Sequence, residues 1–187
     1  MKDDVYEIIR GEKILFPSAN LIHGSIAGRV GASIVRYLDA DDSGYVFGNV
    51  GVKFDDENIF IPDVVVVLKP NEKIIDWKKI IDGSPDMVVE VLSKSTRRND
   101  LTVKKDTYEA NGVREYWIVD PWAKSVTVYL LRDGKYFLDD DYVLFDEDEL
   151  ESLIDEQKAE VKHEVPVKIL GELKIPLKYI FKWGYNQ

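Results

Sequence analysis

The sequence predicts an α/β fold in which a mixed central β-sheet is flanked by helices. Three features point to it. The run Val64-Val65-Val66-Val67-Leu68 is unbroken and mostly β-branched, which suits a central strand covered on both faces. Met87-Val88-Val89-Glu90-Val91-Leu92 is a second short apolar run, and a helical pattern follows it from about Asn99 to Asn111-Gly112. Ile22, Ile26, Val30, Ile34 and Leu38 recur at a spacing of four, the stripe of an amphipathic helix over Leu21–Leu38.

The remaining elements follow in chain order. Val5–Ile9 and Lys13–Phe16 flank Arg10-Gly11-Glu12 and predict a β-hairpin. Ser18 or Asn20 is placed to cap the long helix. Tyr45–Phe47, Val50–Phe54 and Ile59–Ile61 are strand material, and Pro62-Asp63 leads into the central run. Residues from Pro70 to Gly83 form a polar connection with a short helical turn. Asn99 is expected to cap the second helix and Asn111-Gly112 to end it. Glu115–Asp120, Ser125–Leu131 and Tyr136–Leu138 predict a meander. Beyond Leu138 the pattern weakens into acidic runs, a stretch of helical composition from Glu149 to Lys162, and apolar segments to Trp183 that pack back on the body.

The chain of 187 residues has no internal repeat or low-complexity linker, so one domain over 1–187 is expected, with a less regular segment from about residue 139. Net charge is −10, which argues against a broad nucleic-acid footprint built on clustered Lys and Arg. There is no cysteine, which excludes disulfides and thiolate metal sites. No stretch reaches the ~18–20 apolar residues that span a bilayer, and the N-terminus lacks a signal peptide's apolar segment. A cytoplasmic protein that makes no membrane contact is expected.

The chemistry concentrates between Asp63 and Tyr108. A carboxylate inside a buried strand is costly unless something pairs with it, and Glu90 is such a carboxylate. Asp63 stands at the mouth of the other central strand. Neighbouring strands would bring the two acids close, where they repel unless a cation lies between them. A hard divalent ion, Mg²⁺ or Mn²⁺, resolves that conflict and can activate water beside a phosphate. Asp100, Lys104 and Tyr108 share one helix face, and Lys104 would supply a point cation.

Each supporting residue also has a plainer role open to it. Asp86 is an extra ligand or simply opens a strand. Asp100 belongs to the site or forms a surface pair with Lys104. Tyr108 positions a phosphate or packs. His23 is a proton shuttle near a helix start or a bystander, and Glu12 a distal acid or a solvated turn. Lys94, Arg97 and Arg98 lead the best basic cluster of the chain, a seat for a phosphate backbone or a solvated helix start.

Taken together, Tyr6-Glu7, Gly11-Glu12, His23-Gly24, Phe47-Gly48, Pro62-Asp63, Glu90-Val91-Leu92-Ser93, Asp100, Lys104, Tyr108, Gly112-Val113 and Glu115–Pro121 resemble the Uma-two family of restriction endonucleases, within the PD-(D/E)XK nuclease superfamily. The resemblance runs from about Tyr6 to Leu131; Asp139–Leu170 is less typical. It implies a restriction-endonuclease-like core and hydrolysis of phosphodiester bonds in DNA. It further implies Mg²⁺ (or Mn²⁺) held by Asp63 and Glu90 with the carbonyl of Val91, and Lys104 in place of the lysine that the superfamily carries where this chain has Leu92. Cutting both strands would suit a homodimer. The competing expectation is a catalytically weak or inactive nuclease fold acting as a nucleic-acid-binding or assembly module.

Overall fold

The computed structural model describes residues 5–15 and 20–182. Strands β1 (Tyr6–Ile9) and β2 (Glu12–Leu15) form the predicted hairpin, turned by Arg10 and Gly11 at φ 52° and 79°. Positive φ at both turn positions matches the right-handed twist of the flanking strands, and the second falls on glycine, which bears it without strain. Helix α1 (Leu21–Leu38) starts at Asn20, whose side chain accepts from His23 N at 3.0 Å. Ser18, the other expected cap, lies outside the described residues, as do Phe16 and Trp183.

Strands β3 (Gly44–Phe47), β4 (Val52–Lys53), β5 (Asn58–Phe60) and β6 (Val64–Leu68) follow. Residues 70–83, read as one polar connection, hold a 3₁₀ helix (Lys69–Ile74) and two strands that were not expected, β7 (Ile75–Asp76) and β8 (Ile80–Asp82). After β9 (Met87–Val91) the chain winds through α2 (Arg97–Asn99), a π-helical turn (Asp100–Lys104) and α3 (Lys105–Ala110). Asn99 is therefore not the cap: it has helical angles, φ −66° and ψ −42°, and Thr96 stands before the first turn. The stop falls where expected, with Gly112 at φ 84°.

Strands β10 (Glu115–Asp120), β11 (Ser125–Arg132) and β12 (Lys135–Val143) form the meander. Strand β12 runs well past Leu138, straight through Asp139-Asp140-Asp141. It is an edge strand, and its acids are answered by Lys168 on Asp139, Lys162 on Asp140 and Thr127 on Asp141. Short helices α4 (Glu147–Ser152) and α5 (Asp155–Glu160) precede β13 (Glu164–Pro166), β14 (Lys174–Pro176) and α6 (Leu177–Ile180). None of the described helices is long and apolar enough to cross a membrane.

Among the described residues the strands build a central sheet in the order β12-β11-β10-β9-β6-β3 and a second in the order β2-β1-β5-β4-β8-β7. The central sheet is mixed, as predicted: β9 and β10 run parallel and its other pairs antiparallel. On one face, Ile26, Val30, Ile34 and Leu38 of α1 pack with the C-terminal segment against Val64, Val66, Met87, Val89 and Val91. On the other, Val88, Leu92, Tyr116 and Ile118 meet Tyr108, Phe60 and Ile9. Both faces of β6 and β9 are thus covered, which is why their sequences lack alternation.

One buried carboxylate is a fastener. Glu115, fully buried on β10, accepts from Trp117 Nε1 (2.7 Å) and from the backbone amides of Lys168 (3.1 Å) and Ile169 (2.8 Å). It ties the C-terminal segment to the sheet. Glu115→Ala leaves three donors without a partner and is expected to cost about 3 kcal/mol or more in urea unfolding, with Glu115→Gln costing less. Equal midpoints for Glu115→Ala and wild type would remove this role.

Candidate active site at the ends of β6 and β9

The register between the two central strands decides the site. Val64 pairs with Val89 at the end of an antiparallel ladder, so Asp63, one residue before it, lies next to Glu90, one residue after Val89, where both border one pocket. Asp63 Oδ2 accepts from Val91 N at 2.7 Å and meets His23 Nε2 at 3.2 Å. The cap at Asn20 fixes His23 in the first turn of α1, over this strand end. Glu90 Oε1 accepts from Lys104 Nζ at 3.1 Å and from Tyr108 OH at 2.6 Å.

Lys104 reaches this point from the helix that follows β9. It is 2% exposed, and its ammonium also meets Glu7 Oε1 at 2.8 Å and Asp100 Oδ1 at 3.4 Å. The π-helical turn between Asp100 and Lys104 shapes this approach; its first carbonyl, on Asp100, accepts from Tyr116 OH at 2.9 Å. Four buried carboxylates, Glu7, Asp63, Glu90 and Asp100, therefore surround one lysine and one histidine.

That excess of negative charge governs protonation. Burial pushes the Glu90 carboxyl well above the usual range; Lys104 pulls it back, and Asp100, Asp63 and Glu7 push it up again. Burial likewise raises Asp100, against Lys104 and a hydrogen bond from Thr96. Burial works against charge on Lys104, but Glu90, Asp100 and Glu7 outweigh it and hold the ammonium protonated. Burial also works against charge on His23, yet Asp63, the Val91 carbonyl and Asp100 lift its pKa above the ordinary value. Tyr108 stays a neutral donor, raised by burial and by Glu90.

Asp63, Glu90, Asp100 and Lys104 floor a pocket of about 330 Å³, walled by Asn20, Ile22 and His23 on one side and by Ser93–Thr96, Pro121 and Trp122 on the other. The donor set suits a hard divalent ion. Mg²⁺ is commonly held by one or two carboxylates and keeps several waters. Asp63, Glu90 and Val91 all border the pocket. Asp100 Oδ1 is buried and makes no hydrogen bond among the described residues; only the Lys104 ammonium, 3.4 Å away, offsets its charge. Among the described residues no three Asp, Glu, His or Cys side chains form a ready-made metal cage, so an ion here would rely on water for its remaining positions.

The structure gathers most of the residues singled out in the sequence: Asp63, Glu90, Val91, His23, Asp100 and Lys104 line the pocket, and Tyr108 supports it from behind. Asp100 and Lys104 form a buried pair rather than a surface one. Tyr108 packs fully buried and spends its hydroxyl on Glu90, so it does not reach a phosphate. Asp86 stands at the opposite end of β9 and accepts from Leu68 N, Asn71 and Arg114. Glu12 is exposed on the hairpin. The basic cluster divides: Lys94 lines the mouth, Arg97 is engaged by Asp120 at 2.5 Å, and Arg98 is exposed outside the lining. Leu92 points into the core.

Two residues of the site escaped the sequence reading. Glu7 enters the sequence reading only within the first hairpin arm and the Tyr6-Glu7 pair, with no site role, yet it is buried, meets Lys104 and accepts from Ile61 N at 2.8 Å. Its place beside Tyr6 and Ile8 carries no sign of the lysine that arrives from residue 104. Trp122 follows the β10 strand in a turn, where an aromatic signals neither core nor site.

Residues 2–161 match the model of the family Uma2, described as "Putative restriction endonuclease". The chain is also similar in fold to the crystal structure of a "putative nuclease belonging to DUF820" from Anabaena variabilis ATCC 29413. The TM-score is 0.73 and the identity 19%, over 97% of this chain and 92% of that one. No curated protein matches the chain.

Proposed function

The chain belongs to the Uma2 family of restriction-endonuclease-like proteins, and from that premise we propose that it hydrolyses phosphodiester bonds in DNA with the help of Mg²⁺ or Mn²⁺. The observation that carries this reading is the β6–β9 register, which sets Asp63 abreast of Glu90 at the floor of a pocket. Asp63 and Glu90, with the Val91 carbonyl, are the residues that would hold the ion. When bound, it would lower the pKa of water and offset charge that builds on the phosphate.

The chain's own groups divide the rest of the work. Lys104 remains an ammonium at any working pH, so it serves as a fixed cation toward the phosphate or the attacking water, not as a base. Glu7 and Asp100 hold that ammonium in place. His23 lines the same pocket and ordinarily titrates near neutrality, which suits it to carry a proton there.

Nicking of supercoiled plasmid is expected with Mn²⁺ or Mg²⁺ and to stop in EDTA. Cleavage that persists in EDTA would defeat the metal-dependent reading. The second reading, a nuclease fold that binds but does not cut, draws on Leu92 in the lysine position and on the net charge of −10. Calorimetric Mn²⁺ binding without any nicking would favour it.

A further inference from the structure

Trp122 is a large apolar side chain left 65% exposed at the lip of the pocket. Its backbone is fixed. Asp120 Oδ1 accepts from the amides of Trp122 (3.0 Å) and Ala123 (3.2 Å), while Asp120 Oδ2 accepts from Arg97 at 2.5 Å. The indole is therefore presented on a braced turn between β10 and β11, beside Ser93–Thr96.

Two further features limit what can enter. Asp63 and Glu90 are 5% and 3% exposed, so a phosphate must descend to meet them. A duplex is stiff, and drawing one of its nucleotides out of the stack costs a few kcal/mol. The pocket, about 330 Å³, is at the small end of ligand sites. The mouth is also poor in cations: Lys94 lines it without an ion-pair partner among the described residues, and Arg97 is engaged by Asp120. Duplex binding commonly relies on several phosphate contacts. Stacking of a base on an aromatic ring needs no such field and tolerates any sequence.

We propose that the preferred substrate is single-stranded nucleic acid, or the unpaired end of a duplex, gripped by stacking one base on Trp122 while the adjoining phosphate descends to Asp63 and Glu90. This rests on the nuclease reading and narrows it to a substrate class.

Binding separates the two ideas, because it does not require turnover. The probes are fluorescein-labelled dT12, the blunt dA12·dT12 duplex and a dT12 carrying abasic residues, followed by anisotropy in Ca²⁺. Wild type is expected to bind dT12 at least about tenfold more tightly than the duplex. Trp122→Ala is expected to weaken dT12 binding by about 5- to 150-fold, and Trp122→Phe to restore most of it. The abasic probe should lose the same factor on wild type and nothing further on Trp122→Ala. Unchanged dT12 affinity in Trp122→Ala overturns the stacking, and equal or tighter duplex binding overturns the substrate class. If Asp63→Ala abolishes cleavage while Trp122→Ala alters neither binding nor cutting of dT12, the inference falls and the nuclease reading stands. If wild type binds none of the probes, both fall. Loss of a dimer on sedimentation of Trp122→Ala, with dT12 affinity unchanged, would assign the indole to a protein interface and overturn the proposal.

Discussion

Lys104→Met is expected to destabilise the fold by about 3–5 kcal/mol at pH 7.5, seen as a fall of roughly 10 °C in Tm. Methionine fills nearly the same volume, so packing changes little. What is lost is the cation shared by Glu7, Glu90 and Asp100, none of them more than 5% exposed. Burial already raises Glu90 and Asp100, and Lys104 opposes that rise in both. A carboxyl whose folded pKa is raised stabilises the fold below its unfolded pKa and loses that contribution as pH rises through the folded value. Removing Lys104 raises these values further, so the penalty is expected to be largest near neutrality and to shrink below about pH 4, where the acids are protonated in both states. Thermal melts of wild type and variant across pH 4–8 check this. A Tm difference that stays constant over that range would show that the ammonium is not what neutralises the acids.

Asp63→Ala and Glu90→Ala are expected to lower metal-dependent nicking by about 10³-fold or more, since each removes a charge that would hold the ion at the reacting phosphate. Nicking equal to wild type in both would end the assignment of these acids. The companion variant Glu90→Gln separates chemistry from folding. Its amide oxygen can still accept from Tyr108 and Lys104, while a charge pressed upon by three other carboxylates is gone. Its Tm is expected to match or exceed that of wild type although its nicking is lost. A large fall in Tm would instead make Glu90 a structural partner of Lys104.

Much of this arrangement can be read from the sequence because its parts are long or locally spaced. The five-residue run of β6, the stripe of α1 and the four-residue spacing of Asp100, Lys104 and Tyr108 can each be read within one element, without knowing what it packs against. Strands β7 and β8 are too short to show a period of two, so the second sheet is legible only in its hairpin and in β4 and β5. Strand β12 was cut short at Leu138 because three consecutive aspartates deny strand propensity; tertiary partners on Lys162, Lys168 and Thr127 override it. Asn99 looked like a cap by residue type alone, but the helix begins earlier, at Arg97. Glu7 was missed because a carboxylate's meaning depends on a partner 97 positions away, and only the packing of the first hairpin against the helix brings the two together.

The winding between Asp100 and Lys104 has a genetic corollary. A π-helical turn is an α-helix holding one surplus residue. Losing a single codon there would restore ordinary winding and leave Lys104 three residues after Asp100 instead of four, changing the angle at which the amine meets its acids. The widened turn thus sets the angle at which a helix-borne lysine reaches Glu7, Glu90 and Asp100, without any change in the sheet beneath it.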